Sequence, residues 1–227
     1  MQVIENYKIH TLVRIIRHAL NTHPTMKIVV GASYIHTLET VKNILEESPQ
    51  YGEVVLVNGE VKMSERPALI FKFQESNTKC RVMVGNLKTI STGIDLDDQD
   101  GRFPRLALIL PNYEAITQYQ FAGRIMRLGT KSNAILLTIY AKTYNQGKDF
   151  PQNDQDYQKY PLPCNIDAIV KDAKKADDSQ GKPSSNNDKE TYVLSMLAKK
   201  SNVILETTGD TSSSNNMLSG IAPKWIE

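Results

Sequence analysis

Cysteine, net charge and long apolar runs are all scarce in this chain of 227 residues. Its two cysteines, Cys80 and Cys164, lie far apart and show no paired spacing, which favours a reduced intracellular protein over a disulfide-stabilised one. The formal net charge of +2 is well short of the strongly basic footprint of an independent nucleic-acid binder. The N-terminus mixes charged and apolar residues, so we expect neither a signal peptide nor a membrane span.

Two motifs of phosphoryl transfer are also missing from the sequence. No G-x-x-x-x-G-K-[S/T] loop occurs, and no Asp-Glu-x-His or Asp-Glu-x-Asp run is present to hold Mg²⁺. Gly181-Lys182 is followed by proline in a polar stretch and cannot cradle a phosphate. The histidines lack the glutamate or cysteine partners of a metal site, so none is expected; they are His10, His18, His23 and His36.

What the sequence does contain is an alternation of apolar and amphipathic segments. Apolar residues at helical spacing predict a helix from Glu5 to Leu20. Strands are predicted at about 27–33, 53–58, 80–85, 105–110 and 134–140, and further helices at about 35–47, 64–74 and 115–127, with Ser64 as an N-cap. The alternation predicts an α/β fold, a mostly parallel RecA-like sheet of about five strands with helices on both faces.

The composition changes after about residue 142. Residues 144–189 are polar, which predicts a linker that is disordered in part. An amphipathic helix is predicted over 190–206, and 207–227 form a Ser/Asn-rich tail. The predicted organisation is therefore a lead-in helix (1–24), an α/β domain (25–143) and this C-terminal extension.

The most informative stretch is Q-F-A-G-R-I-M-R, residues 120–127, in the last predicted helix. Arg124 and Arg127 are three residues apart and are expected on one helix face. Paired guanidiniums suit the anionic γ-phosphate of a nucleotide. Ligands of open α/β sheets bind beyond the carboxyl ends of the strands, so we expect both arginines to project from that edge together with Asp95.

The loop after the third predicted strand reads Ser91-Thr92-Gly93-Ile94-Asp95. Gly93 permits close backbone approach to a ligand, and the Asp95 carboxylate can accept hydrogen bonds from a ribose hydroxyl. An ordinary turn with a solvated aspartate has the same sequence pattern, and a lone G-R-x-x-R pair also occurs on solvated helix faces. These motifs gain weight only through their order along the chain.

In that order, the motifs of residues 8–140 resemble the C-terminal RecA-like lobe of superfamily 2 helicases and translocases. Segment 57–74, with its glycine turn, a Glu-Arg pair and a helix ending in Phe-Gln, is similar to that of Swi/Snf-type motors. The stretch 92–105 is similar to motors of large DNA viruses and phages and of the strawberry-notch group. The segment 190–203 also resembles one that closes some of those viral helicases.

The resemblance implies roles for individual residues. Arg124 and Arg127 would reach the γ-phosphate, with Arg127 as the arginine finger. The residues implied to contact or position the nucleotide are Gly93, Asp95, Gln120 and Gly123. The residues implied to touch nucleic-acid phosphates are Ser33, Tyr34, Lys88 and Thr92. One departure is Leu87, which stands where the family commonly has threonine.

The implied function is that of the C-terminal motor lobe of an ATP-dependent helicase or translocase acting on nucleic acid, with DNA favoured over RNA and RNA left open. ATP and its Mg²⁺ would be held by an N-terminal lobe in cis or in trans, so no hydrolysis is expected from this chain alone. The implied location is intracellular, in the virion or host cytoplasm if the chain is viral. The alternative is a non-catalytic RecA-like scaffold or a truncated helicase fragment, for which paired arginines have no use.

Overall fold

The computed structural model describes residues 2–112, 114–127 and 129–139, and the predicted segments 144–189, 190–206 and 207–227 lie outside them. The helices are α1 (Gln2–Thr22), α2 (Ile35–Glu46), α3 (Arg66–Gln74), α4 (Leu87–Ile90) and α5 (Ala115–Ile125), with a short 3-10 turn at Pro49–Tyr51. The strands are β1 (Lys27–Ala32), β2 (Glu53–Val57), β3 (Cys80–Asn86), β4 (Arg105–Ile109) and β5 (Ala134–Thr138). No helix within these ranges is both long and apolar enough to cross a bilayer.

The five strands form one sheet in the order β2-β3-β1-β4-β5, and every neighbouring pair is parallel. The first residues of three strands lie side by side, because Lys27 pairs with Arg105 and Arg105 pairs with Ala134. One edge of the sheet therefore collects the strand beginnings, and the opposite edge collects the carboxyl ends. The predicted α/β, RecA-like parallel sheet of about five strands is confirmed.

Helices cover both faces of the sheet, as predicted. Alternate strand residues point to opposite faces, so Ile28 and Val30 join one core cluster while Val29 joins the other. Helices α1 and α2 pack on the first face, and α3, α4 and α5 pack on the second. Near-continuous burial of β1, β3 and β4 explains why those strands are mostly apolar in the sequence.

Several predicted boundaries differ from the structure by two or three residues, and those at the start of α3 and the end of α5 have a clear local cause. Helix α3 begins at Arg66, and its N-cap position is held by Glu65 rather than Ser64. The backbone N–H groups of Glu65 and Arg66 both donate to the Lys62 carbonyl, so Ser64 lies inside a turn and cannot cap the helix. At the other boundary, α5 ends at Ile125 and not at residue 127.

Candidate functional site

A single helical turn, α4, lays the chain back across the sheet after β3. The Asn86 side chain caps this turn by accepting a hydrogen bond from the backbone N–H of Lys88 at 3.1 Å. Leu87 is buried over Gly31, where a Cβ would lie 2.5 Å from the leucine side chain. Glycine at position 31 therefore allows α4 to pack closely on the sheet, and residues 91–96 continue from the end of this turn.

The end of α5 meets this segment through both predicted arginines. Arg124 Nε donates to the Ser91 carbonyl at 3.0 Å, and Arg127 Nη2 lies 2.6 Å from Asp95 Oδ1. The backbone joins them as well, since the Leu96 N–H donates to the Arg124 carbonyl at 3.0 Å. The structure therefore brings Asp95, Arg124 and Arg127 into one cluster.

The two arginines reach this cluster in a different way from that predicted. Helix α5 ends at Ile125, and Met126 is extended with φ −120° and ψ 104°, so Arg127 lies beyond the helix and does not share a helix face with Arg124. A turn fixes its backbone, because the Arg127 N–H donates to the Thr130 hydroxyl at 2.8 Å and the Thr130 N–H donates to the Arg127 carbonyl at 3.0 Å.

The Arg127–Asp95 ion pair is open to solvent. The Arg127 side chain is 35% exposed and the Asp95 side chain is 50% exposed. An exposed pair of this kind contributes at most about 1 kcal/mol to stability. An incoming anion could therefore replace the aspartate at small energetic cost.

Two glycines leave the backbone open beside the arginines. Gly93 has φ +69°, which favours glycine, and a Cβ added there meets no atom within 4 Å. Gly123 lies inside α5, where glycine destabilises a helix by roughly 0.5–1 kcal/mol relative to alanine, and a Cβ there also meets nothing within 4 Å. Gln120, one turn earlier on α5, is exposed and makes no side-chain hydrogen bond among the described residues. Contacts with the other described residues do not account for the residue types at positions 93, 120 and 123.

Ser33 lies in a second group, at the carboxyl ends of the strands. Its N–H donates to Glu5 Oε1 at 3.2 Å, and its carbonyl accepts from Asn86 Nδ2 at 2.9 Å. Its hydroxyl oxygen accepts from Asn112 Nδ2 at 3.0 Å. All three polar groups of Ser33 thus tie α1, β3 and the start of α5 together, and a phosphate contact there stays a prediction.

Lys88, Thr92 and Tyr34 are the other residues predicted to contact phosphates. The exposed Lys88 ammonium lies 2.8 Å from Glu114 Oε1 and holds the pKa of that carboxyl below its usual value. The Thr92 hydroxyl is exposed and donates to the Lys88 carbonyl at 3.3 Å. Tyr34 is half-buried and precedes α2. These side chains remain accessible to a ligand.

The structure does not place the arginines at the carboxyl-end edge, where they were expected. Helix α5 starts just after β4 and returns antiparallel to it, so its last residues approach the edge at which the strands begin. Arg105, the first residue of β4, confirms this position by donating through Nε to the Leu96 carbonyl at 2.8 Å. The arginine cluster and the Ser33 group are therefore separate places, connected through residues 88–92.

Sequence reasoning missed three residues that support the arginine cluster: Lys27, Gln74 and Arg105. Burial lowers the pKa of Lys27 to about 8, and burial lowers that of Arg105 to about 10. Each cation is the first residue of an otherwise apolar strand. That pattern was the available signal, but a charged residue at a strand beginning is usually exposed.

Among the described residues, no group of three or more His, Cys, Asp or Glu side chains could hold a metal ion. The arginine cluster has groups suited to anion recognition: two guanidiniums, a displaceable carboxylate and open backbone. Guanidiniums recognise phosphates in bidentate fashion.

No protein-family model matches the chain, and no curated protein matches it in sequence. Many solved structures are similar in fold, including the following three. The C-terminal part of the Fun30 ATPase domain is 18% identical with a TM-score of 0.46, and the match covers 58% of this chain and 41% of that one. The E. coli DEAD-box protein SrmB, bound to regulator of ribonuclease activity A, is 21% identical with a TM-score of 0.43. The match covers 59% of this chain and 71% of that one.

The third structure is S. cerevisiae Dbp5 bound to RNA and ADP BeF3, at 20% identity and a TM-score of 0.45. The match covers 61% of this chain and 33% of that one, so this chain spans less than half of the chains in both the Dbp5 and the Fun30 structures. At these identities the likeness is one of fold, and it says nothing about ligands of this chain.

Proposed function

We propose that this chain is the C-terminal motor lobe of an ATP-dependent superfamily 2 helicase or translocase. Arg127 and Arg124 would supply positive charge to the γ-phosphate of a nucleotide held by another RecA-like lobe, in cis or in trans. The observation that carries the proposal is the convergence of both guanidiniums on segment 91–95, beside two glycines at which an added Cβ would meet no atom within 4 Å.

Arg127 is the better-placed finger of the two. Its only side-chain partner among the described residues is the exposed Asp95, whereas Arg124 Nε is already engaged with the Ser91 carbonyl. A mobile guanidinium on a fixed backbone can turn toward charge that develops in the transition state, and such charge stabilisation is a large term in catalysis. Asp95 would then be free to accept a ribose hydroxyl, and Gly93, Gln120 and Gly123 would allow the nucleotide or the second lobe to approach closely.

The proposed site would form one half of a complete ATP-binding site. The sequence has no phosphate-binding loop and no Asp-Glu pair for Mg²⁺, so ATP and its metal would be bound mainly by the second lobe. Nucleic acid would lie at the carboxyl-end edge against Ser33, Tyr34, Lys88 and Thr92, where phosphate contacts fix position but not sequence. The proposal also includes DNA as the nucleic acid and kinship with viral, phage or Swi/Snf motors. It further includes an intracellular location, in the virion or host cytoplasm if the chain is viral.

The test is reconstitution of nucleic-acid-stimulated ATP hydrolysis with a Walker-bearing N-terminal lobe of a superfamily 2 motor. We expect the wild-type chain to restore hydrolysis and Arg127→Ala to lower kcat by about 10³-fold or more, the usual effect of losing an arginine finger. Arg124→Ala should lower it less, because part of its guanidinium is used structurally.

Arg102→Ala is the matched control, since Arg102 forms an exposed ion pair with Asp100 at 2.7 Å outside the cluster. This variant should hydrolyse ATP like the wild type. If Arg127→Ala and Arg102→Ala are equally active, the arginine does not serve hydrolysis, and the non-catalytic scaffold becomes the better reading.

A further inference from the structure

We propose that Gln74 is a positioning residue for the Asp95–Arg127 pair, and that the buried Arg105 and Lys27 hold it in place. Gln74 touches neither arginine of the cluster and would touch no nucleotide. Its effect on the pair can be measured in the chain alone, whereas its consequence for hydrolysis rests on the proposed function.

The side-chain amide of Gln74 is used at both ends. Its Nε2 donates to the carbonyls of Asp95 at 2.7 Å and Asp97 at 3.2 Å, and its Oε1 accepts from Arg105 Nη2 at 2.6 Å. Arg105 can only donate, so the amide oxygen must face it and the NH₂ must face the carbonyls. The amide therefore bridges a buried cation and the backbone of Asp95 in one orientation.

Arg105 fixes the other side of the bridge. Its guanidinium is buried and donates to the carbonyls of Leu96 at 2.8 Å, Phe103 at 2.6 Å and Asp97 at 3.2 Å. A planar group with its donors engaged in several directions has little freedom to move. The carbonyls of residues 95–97 are consequently held by Gln74 and Arg105 together.

Lys27 secures the backbone on either side of Gln74. Its ammonium donates to the carbonyl of Phe73 at 2.5 Å and to that of Glu75 at 2.6 Å, at the end of α3. A cation at the carboxyl end of a helix also interacts favourably with the negative end of the helix dipole. Because Lys27 and Arg105 are register partners on β1 and β4, one anchors the backbone and the other anchors the side chain.

The bridge reaches the arginines through residues 95 and 96. Asp95 carries the carboxylate that holds Arg127, and the Leu96 N–H donates to the Arg124 carbonyl. A shift of about 1 Å in a catalytic group can lower a rate by roughly 10²-fold. Gln74 therefore sets the resting position from which the predicted finger turns toward the nucleotide, through the backbone of its ion-pair partner Asp95.

The test compares Gln74→Met with the wild-type chain by NMR and amide hydrogen exchange. We expect the Arg127 side-chain N–H signals to shift and the Leu96 amide to exchange about 10-fold faster or more, as expected for a locally opened segment. Gln74→Glu keeps the acceptor for Arg105 but turns an oxygen toward two carbonyls, so it should cause the same changes in a chain that retains the Arg105 contact.

Lys72→Met is the control on the same helix, because Lys72 pairs with Glu53 on the protein surface, away from residues 95–97. It should leave the Arg127 signals and Leu96 exchange unchanged. If Gln74→Met loses stability while those two readouts match the wild type, Gln74 has only a structural role and the proposal is overturned.

Reconstituted hydrolysis supplies a separate readout. Displacing the finger should lower kcat of Gln74→Met by about 10- to 100-fold with little change in KM, since the nucleotide would be bound by the other lobe. A wild-type chain that restores no hydrolysis would count against the proposed function, and the NMR comparison would still decide whether Gln74 positions the pair. Wild-type kcat in Gln74→Met would contradict the positioning role.

Discussion

At the scale of single residues, the unusual feature is a pair of buried cations side by side. Lys27 is fully buried and Arg105 nearly so, on adjacent strands. Carbonyl oxygens surround the Lys27 ammonium together with two aromatic rings. Its Nζ lies 5.4 Å from the centroid of the Phe73 ring and 4.9 Å from that of the Phe103 ring. These partners offset part of the cost of burying a charge. Burial still lowers the pKa of Lys27 to about 8, so Lys27 should make stability depend on pH.

We predict that the free energy of unfolding rises with pH through Lys27. The folded chain releases the proton near pH 8, whereas the unfolded chain keeps it until about pH 10.5, so the unfolded state binds more protons between these values. The difference in unfolding free energy between pH 8 and pH 9 should be about 1 kcal/mol. Lys27→Met should remove this rise, as measured by urea denaturation at both pH values.

The comparison should not extend above pH 9, because the buried thiol of Cys80 acts increasingly in the opposite direction at higher pH. Burial raises the pKa of Cys80 to about 11, so the unfolded chain loses that proton first and stability falls. The same pH dependence in wild type and Lys27→Met would show that Lys27 stays protonated in the folded protein.

At the scale of secondary structure, Gly85 and Gly123 lie in contrasting environments, one crowded and one open. The contrast separates a glycine needed for packing from one that packing does not require. Gly85 lies in β3 beneath α4, where a Cβ would collide with Ile90 and lie 3.1 Å from the Val57 carbonyl. Gly123 lies in α5 with open space around it. The first glycine is required by the fold, and the second is not.

We predict opposite effects of alanine at these two positions. Gly85→Ala should destabilise the protein by about 1–3 kcal/mol through overpacking. Gly123→Ala should stabilise it by roughly 0.5–1 kcal/mol, because alanine favours the helix and meets no atom. Urea denaturation of both variants measures the difference.

The same Gly123→Ala variant should hydrolyse ATP more slowly than wild type with a second lobe, because the added methyl group would stand between the lobes. A stability gain with a loss of activity would point to a close approach at this position. If Gly123→Ala is instead destabilised, the added methyl group does not fit beside α5 and the prediction is wrong.

At the scale of the whole molecule, the lead-in helix is part of the main core. Ile9, Leu12, Val13 and Ile16 of α1 belong to the same cluster as Ile28 of the central strand. Arg81 reaches back from β3 to the Leu20 carbonyl at 3.1 Å, close to the end of α1. Helix α1 therefore covers one face of the sheet rather than preceding a finished domain.

We predict that removing residues 1–24 prevents cooperative folding of the remaining chain. Without α1 the first face of the sheet would expose its apolar residues to water, and each large side chain contributes about 1.5–3 kcal/mol by burial. Leu12→Ala, a milder change, should lower the free energy of unfolding by about 2–5 kcal/mol. Thermal denaturation followed by circular dichroism checks both.

Tyr7→Ala is the control for α1, since Tyr7 is 67% exposed on the same helix. Its melting temperature should match that of the wild type. Cooperative melting of the chain lacking residues 1–24 would show that α1 is dispensable.

Element type and order could be predicted because they depend on local patterns. A nearly unbroken apolar run marked β1, and helical spacing of apolar residues marked α1. The end of α5 could not be predicted, because the turn that Arg127 forms with Thr130 competes with one more helical turn. Boundaries of this kind depend on a few hydrogen bonds of similar energy.

The amino-acid sequence by itself determined the parallel α/β fold and singled out Arg124, Arg127 and Asp95. Periodicity and motif order depend only on the positions of residues along the chain, so they can be recognised without the structure. Only the tertiary structure decided that the arginines meet residues 91–95 near the strand beginnings, and that Gln74, Lys27 and Arg105 support that meeting. Those contacts join segments separated by other strands, and whether a charge is buried depends on which helix ends pack over it.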